Sequence, residues 1–177
     1  MRRVSSLFLI FMFIAVAVGV SFAQVPQPPA PELKKLDYFV GIWTMDGDVK
    51  PGPMGPGGKA TGTSKYEWMD GQYFMVSQTK HNGVMGTGTE TAYYGYDAKK
   101  KLYTYDSFSS MGEHNIATAT LDGDTWNWLF DVPMGAMTMK GRFVMKMVSA
   151  TAYSYKLEFS QDGTSWNLAM DGKATKK

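Results

Sequence analysis

The stretch that decides the fold runs Met137-Thr138-Met139-Lys140-Gly141-Arg142-Phe143-Val144-Met145-Lys146-Met147 and, after a short break, Tyr153-Ser154-Tyr155-Lys156-Leu157-Glu158-Phe159-Ser160. In the first run Met137, Met139, Phe143, Met145 and Met147 fall on one side, and Lys140, Arg142 and Lys146 on the other. In the second, tyrosine, leucine and phenylalanine alternate with serine, lysine and glutamate. Successive side chains point to opposite faces only in an extended chain, so this two-residue period means strands with one buried and one wetted face. The short break between them makes the two strands antiparallel neighbours.

Outward from this pair the same period extends back to Gly41 and on to the C-terminus. It predicts strands near residues 41–49, 59–69, 72–80, 88–96, 101–108, 113–121, 124–131, 136–147, 151–160 and 165–173. In the last of them Trp166, Leu168 and Met170 share the apolar phase. Asp70-Gly71, Asp122-Gly123 and Asp162-Gly163 supply the turns, because glycine accepts a positive φ without steric cost. Ahead of the first strand, Leu33, Leu36 and Val40 recur at helical spacing behind Pro31, which suits a first helical position, so one short helix is expected to about Phe39. Strands with one apolar face each, and a single short helix to cover them, must stack or curl. A meander without long crossovers closes naturally into an up-and-down barrel and removes its own edges. The expectation is an all-β protein: a roughly ten-stranded antiparallel barrel with one short N-terminal helix.

The chain opens with Met1-Arg2-Arg3, an apolar run from Leu7 to Val20, and Ser21-Phe22-Ala23. A charged start, a greasy middle too short to span a bilayer and a small-x-small end read as a secretory signal peptide over residues 1–23. Residues 24–31 hold four prolines and form an extended linker, and residues 32–177 make a single β-barrel domain. The expected location is periplasmic or secreted, with no membrane span after cleavage. Arg2 and Arg3 are two of the chain's 18 basic residues, and without them the basic count equals the 16 acidic residues. No basic excess remains to displace counterions, which argues against nucleic-acid binding. With no cysteine in an exported chain, neither disulfides nor thiol chemistry contribute.

The interior phase is rich in aromatic and sulfur side chains. Tyr66, Trp68, Tyr73, Trp126, Trp128, Met139, Met145 and Tyr155 are candidates to line a ligand site, with Trp43 and Trp166 on the same phase. Methionine adapts to varied apolar shapes, while buried tyrosine and tryptophan orient a ligand's polar end. His114 alternates with Ile116, an inward phase, and joins the candidates as a ligand-contacting group or general base; Asp106 shares a face with Leu102 and Phe108. His81, in His81-Asn82-Gly83, reads as a turn. Neither histidine has a partner at metal-ligand spacing, and no nucleophile elbow occurs, so no catalytic residue, metal site or cofactor is assigned. The loop Pro51–Gly58 mixes stiff prolines with glycines, as a simple connection or a lid over the barrel mouth.

Leu33-x-x-Leu36-x-x-Phe39-Val40-Gly41-x-Trp43, a helix running into a Gly-x-Trp strand, resembles the opening of lipocalin and other calycin barrels. Joined to the Val49–Gly58 loop, Tyr66-Glu67-Trp68, Ser110-Met111-Gly112-x-His114, Gly123-Asp124-Thr125-Trp126 and Met139-Lys140-Gly141-Arg142-Phe143, it resembles the DUF1579 family over essentially the whole mature chain. That resemblance implies a calycin-like barrel and assigns no functional residues. Nitrobindin-like ten-stranded barrels, a related comparison, bind haem through a histidine near the C-terminus, and Ser165–Asp171 has none. The functional expectation is an exported carrier or sensor that binds a small apolar or amphipathic molecule inside the barrel. The alternatives are a packed barrel serving as a structural or protein-interaction module, and an envelope enzyme using His114.

Overall fold

The computed structural model describes residues 27–52, 55–84, 86–135 and 137–177. The signal peptide expected over residues 1–23 and the first part of the linker lie outside the described residues. Gln27–Ala30 are irregular, and Pro31–Phe39 form a 3₁₀ helix. Ten strands follow: β1 (Gly41–Val49), β2 (Gly58–Trp68), β3 (Met75–Gly83), β4 (Gly86–Asp97), β5 (Leu102–Ser109), β6 (His114–Asp122), β7 (Thr125–Met134), β8 (Met137–Ser149), β9 (Ala152–Ser160) and β10 (Asn167–Lys176). Each pairs antiparallel with the next, and β1 pairs with β10, so the sheet closes into the expected up-and-down barrel. No helix among the described residues is long and apolar enough to cross a membrane.

The helix is 3₁₀ because of its own apolar spacing. Leu33, Leu36 and Phe39 sit three apart, and a helix with three residues per turn stacks all of them on one face, where they are buried. This face plugs one end of the barrel against Trp43, Tyr66, Trp126 and Tyr153. Polar atoms pin the plug at its rim. Tyr38 donates to the Ala152 carbonyl at 2.8 Å, Tyr103 to the Glu32 carbonyl at 3.0 Å, and the Trp68 indole to Asp37 Oδ1 at 2.7 Å. Among the described residues, Trp126 Nε1 is the one buried side-chain nitrogen or oxygen without a hydrogen-bond partner.

Four readings of the sequence are corrected by the structure. In β10 a bulge between Leu168 and Met170 reverses the phase, so Met170 points inward while Leu168 is exposed. Trp166 lies ahead of the bulge and outside, with the Arg142 guanidinium 4.2 Å over its ring. In β6 the inward residues are Ala117 and Ala119; Ile116 is 61 % exposed, and His114 stands beside it on the outer face with Asp106. Apolar character points the wrong way there because the inner face must be small: Ala119 opposes Tyr103 and Trp128, and Ala117 opposes Tyr105 and Phe130. Tyr73 falls in the β2–β3 turn rather than in a strand, where its hydroxyl reaches the Gln27 carbonyl at 2.5 Å. His81 is likewise corrected, from turn to the inward phase of β3.

Glycine makes a second accommodation. Tyr155 lies across Gly47 and Gly172, and a Cβ at Gly172 would stand 2.3 Å from the Asp46 carbonyl oxygen and 2.6 Å from the Tyr155 ring. The carbonyl belongs to the β1–β10 ladder that closes the barrel and has little freedom to move. Gly172→Ala is therefore expected to destabilise the protein by about 1–3 kcal/mol, the usual cost of overpacking, read from the midpoint of urea unfolding. An unchanged midpoint would show that β1 and β10 part easily.

Candidate functional site

The alternation that builds the wall also leaves room inside it. Above the helical plug the barrel encloses a cavity of about 530 Å³. Phe39 forms its floor; Trp128, Phe143, Met145, Tyr66, Tyr94 and Tyr153 line its walls; Glu113, Asn115 and Val132 stand toward the far end. That end carries the β1–β2, β3–β4, β5–β6, β7–β8 and β9–β10 loops, among them Pro51–Gly58, where Gly52 and Gly55 form an isolated bridge. The described residues of the Pro-Gly loop thus lie at the mouth.

The barrel wall has a gap at the same end. Strand β6 pairs with β7 only through Ala117–Asp122 opposite Phe130–Thr125. His114–Ile116 are therefore bonded through β5 alone, and Asp131–Met134 through β8 alone. Asn115, Ile116 and Val132, which flank this separation, all border the cavity.

Of the side chains singled out in the sequence, Tyr66, Trp128 and Met145 line the cavity. Trp126 stacks on Trp128 with ring centroids 6.0 Å apart, one layer nearer the plug. Trp68 belongs to the plug rim, Tyr155 lies on its two glycines, and Met139 is partly buried opposite Val132 near the mouth. Tyr73 is outside. So is His114: its Nε2 is 2.7 Å from Asp106 Oδ1 and its ring stacks on Phe108 at 4.6 Å, so an acid or base role inside the barrel is excluded for this pair.

The cavity's polar groups were not singled out in the sequence. Tyr105 donates to Glu90 Oε1 at 2.8 Å and Ser107 to Glu90 Oε2 at 3.2 Å, while Ser64 and Thr79 share a hydrogen bond of 2.7 Å. Burial, then the neighbouring Glu90 charge, pushes the Tyr105 hydroxyl far above the ordinary tyrosine range; burial does the same at Tyr94, helped by Tyr66 and Tyr105. These hydroxyls therefore stay protonated and able to donate. The available signal was phase: Glu90 shares a face with Gly88, Ala92 and Tyr94, and a charged residue on an inward phase marks a site.

Among solved structures the chain is similar to "Crystal Structure of Rv2717c from M. tuberculosis", with 14 % identity and a TM-score of 0.58, covering 84 % of this chain and 99 % of that one. This likeness shows a shared fold. A looser one is to "Structure of EF1p2_mFAP2b bound to DFHBI", with 13 % identity and a TM-score of 0.42 over 82 % of this chain and 98 % of that one. No curated protein matches the sequence. Residues 28–176, which take in the helix and all ten strands, match the family described as "Protein of unknown function (DUF1579)". The chain belongs to the DUF1579 family.

Proposed function

We propose that this protein is an exported carrier or sensor for a small apolar or amphipathic molecule held inside the barrel. One observation carries the reading: the cavity of about 530 Å³ walled by aromatic and methionine side chains. Ligand cavities run roughly 300–1,000 Å³, mostly apolar with a few placed polar groups. Trp128, Phe143 and Met145 would hold the apolar body, and the Tyr105–Glu90–Ser107 and Ser64–Thr79 groups would orient its polar end. Export rests on the N-terminal pattern: a charged start, an apolar core and Ser21-Phe22-Ala23. On this reading the mature chain starts at Gln24 and carries one domain from Glu32.

The experiment is native mass spectrometry of the protein expressed in a bacterial host and purified gently from the periplasm. The expected spectrum shows a chain beginning at Gln24 with a reproducible extra mass that is lost on denaturation. A bare mass that a panel of lipids and aromatic metabolites leaves unchanged would overturn the carrier reading, and a chain still beginning at Met1 would overturn export. A second reading, a protein-interaction module, is favoured by Phe108, Ile116 and Leu129, all more than half exposed on the outer faces of β5, β6 and β7. Loss of a co-purifying protein after Ile116→Lys, in a protein that carries no small molecule, would select it.

A further inference from the structure

The cavity's charges narrow the ligand class, on the reading that this is a binding barrel. Glu90 and Glu113 are the charged side chains that line it, and no lysine, arginine or histidine joins them among the described residues. Glu113 stands at the mouth, within 3.4 Å of the Ser109 hydroxyl. Glu90 stands deeper on the wall. Its two donors, Tyr105 and Ser107, occupy one acceptor site on each oxygen, where a carboxylate offers about four in all. No basic group of the described residues forms an ion pair with either glutamate.

Beside Glu90 the rings of Tyr94, Tyr105 and Trp128 gather with centroids 5.2–6.0 Å apart. Aromatic faces carry negative quadrupole density and attract cations. A carboxylate with spare acceptor capacity and three electron-rich rings give this part of the wall one electrostatic sign. An anionic ligand, whether a fatty carboxylate or a phosphate ester, would bring a second negative charge beside Glu90 with no lysine or arginine in the lining to answer it; His81, on the inward phase of β3 opposite Gly88, stands outside the lining and one rung nearer the mouth.

We propose that the cavity selects a protonated amine on an apolar, aromatic body, with the ammonium at Glu90 and the body among Trp128, Phe143 and Met145. The ammonium donates to the free acceptor sites of Glu90, and the uncharged remainder fills the apolar space above Phe39. Recognition of this kind separates ligands by charge before it separates them by shape.

The test uses the protein purified after export and three probes that share one ring system: naphthylmethylamine, naphthylmethanol and naphthylacetate, titrated by calorimetry at neutral pH. Charge-assisted hydrogen bonds exceed neutral ones enough that the amine is expected to bind roughly ten- to a hundredfold more tightly than the alcohol, with the carboxylate weakest. Glu90→Gln, which keeps the size and can accept from Tyr105 while its amide donates to the Ser107 hydroxyl instead of accepting from it, is expected to erase the amine's advantage while moving alcohol affinity by no more than about twofold. Glu67→Gln, a carboxylate on the outer phase of β2 paired with Lys65, should leave the ranking intact. An alcohol that binds as well as the amine, a preferred carboxylate, or an advantage that survives Glu90→Gln would overturn the amine assignment and leave the carrier reading standing. Failure of all three probes to bind, with a bare mass in the native spectrum, would remove both. The wild-type ranking alone decides the matter should Glu90→Gln fail to fold.

Discussion

Raising the pH from about 9 to about 12 is expected to unfold the barrel in one cooperative step rather than to titrate its tyrosines one by one. Burial holds the hydroxyls of Tyr94, Tyr105 and Tyr153 well above the ordinary tyrosine range, and it pushes Tyr155 up to about 12 with help from Asp46, Asp171 and Asp48. A tyrosine is neutral while protonated, and its unfolded value lies near about 10. Below that pH both states keep the proton, and the folded state's stability is complete. Above it the unfolded chain releases protons that the barrel must retain, so stability falls as pH climbs from about 10 through the folded values, by roughly 1 kcal/mol per pH unit for each such tyrosine. Four of them remove several kcal/mol by about pH 11, a large part of an ordinary domain's 5–15 kcal/mol. Tyrosinate absorbance and far-ultraviolet circular dichroism, followed together, should change at the same pH. Tyr155→Phe should make the loss less steep. A smooth tyrosinate titration with an intact strand signal to about pH 12 would show instead that water reaches these hydroxyls freely.

The second large effect concerns the plug. Trp43→Ala is expected to cost about 3–5 kcal/mol, the range for emptying a buried indole from a core that cannot collapse. Trp43 is fully buried, its Nε1 donates to the Phe39 carbonyl at 2.7 Å, and its ring sits 4.9 Å from that of Tyr153 and 5.2 Å from the Lys176 ammonium. Removing it leaves the last carbonyl of the helix unpartnered and takes away the surface on which Phe39 rests. Trp166→Ala is the matched comparison. That indole lies outside the wall against Arg142, a contact worth about 0.5–1 kcal/mol, and the two urea midpoints should differ accordingly. Equal effects would mean that the plug contributes little to stability.

The comparison of sequence and structure turns on what each strand must pack against. In β8 and β9 large inward residues alternate with charged outward ones, so composition alone gives the facing of Phe143, Met145, Tyr153 and Tyr155 correctly. In β6 it misleads, because Ala117 and Ala119 are small to admit the rings of the flanking strands, while Ile116 is apolar and outside. A strand's inner face is set by its neighbours across the sheet, which a linear reading does not contain. The bulge in β10 is a local backbone event with no residue type to announce it, and it carries Trp166 from the inner phase to the outer surface. The helix was legible as an element but not in its form: the sequence put Leu33, Leu36 and Val40 on its buried face, whereas the 3₁₀ turn buries Leu33, Leu36 and Phe39. The candidate site was half legible. Its apolar wall follows from aromatic content, whereas Glu90 shares its phase with Gly86, Gly88 and Ala92, residues too small to mark that face plainly as the inner one.

The separation between β6 and β7 divides two quantities that a fully closed barrel would join. His114–Ile116 and Asp131–Met134 each keep one bonded neighbour, so parting them further would break no β6–β7 hydrogen bond. Their amide protons are expected to exchange through a local opening, at a lower free energy than those in the middle of β8 and β9. On the carrier reading, passage between cavity and solvent would be timed by that local event, and a variant stabilised at the plug is expected to release a bound molecule as fast as the native protein does.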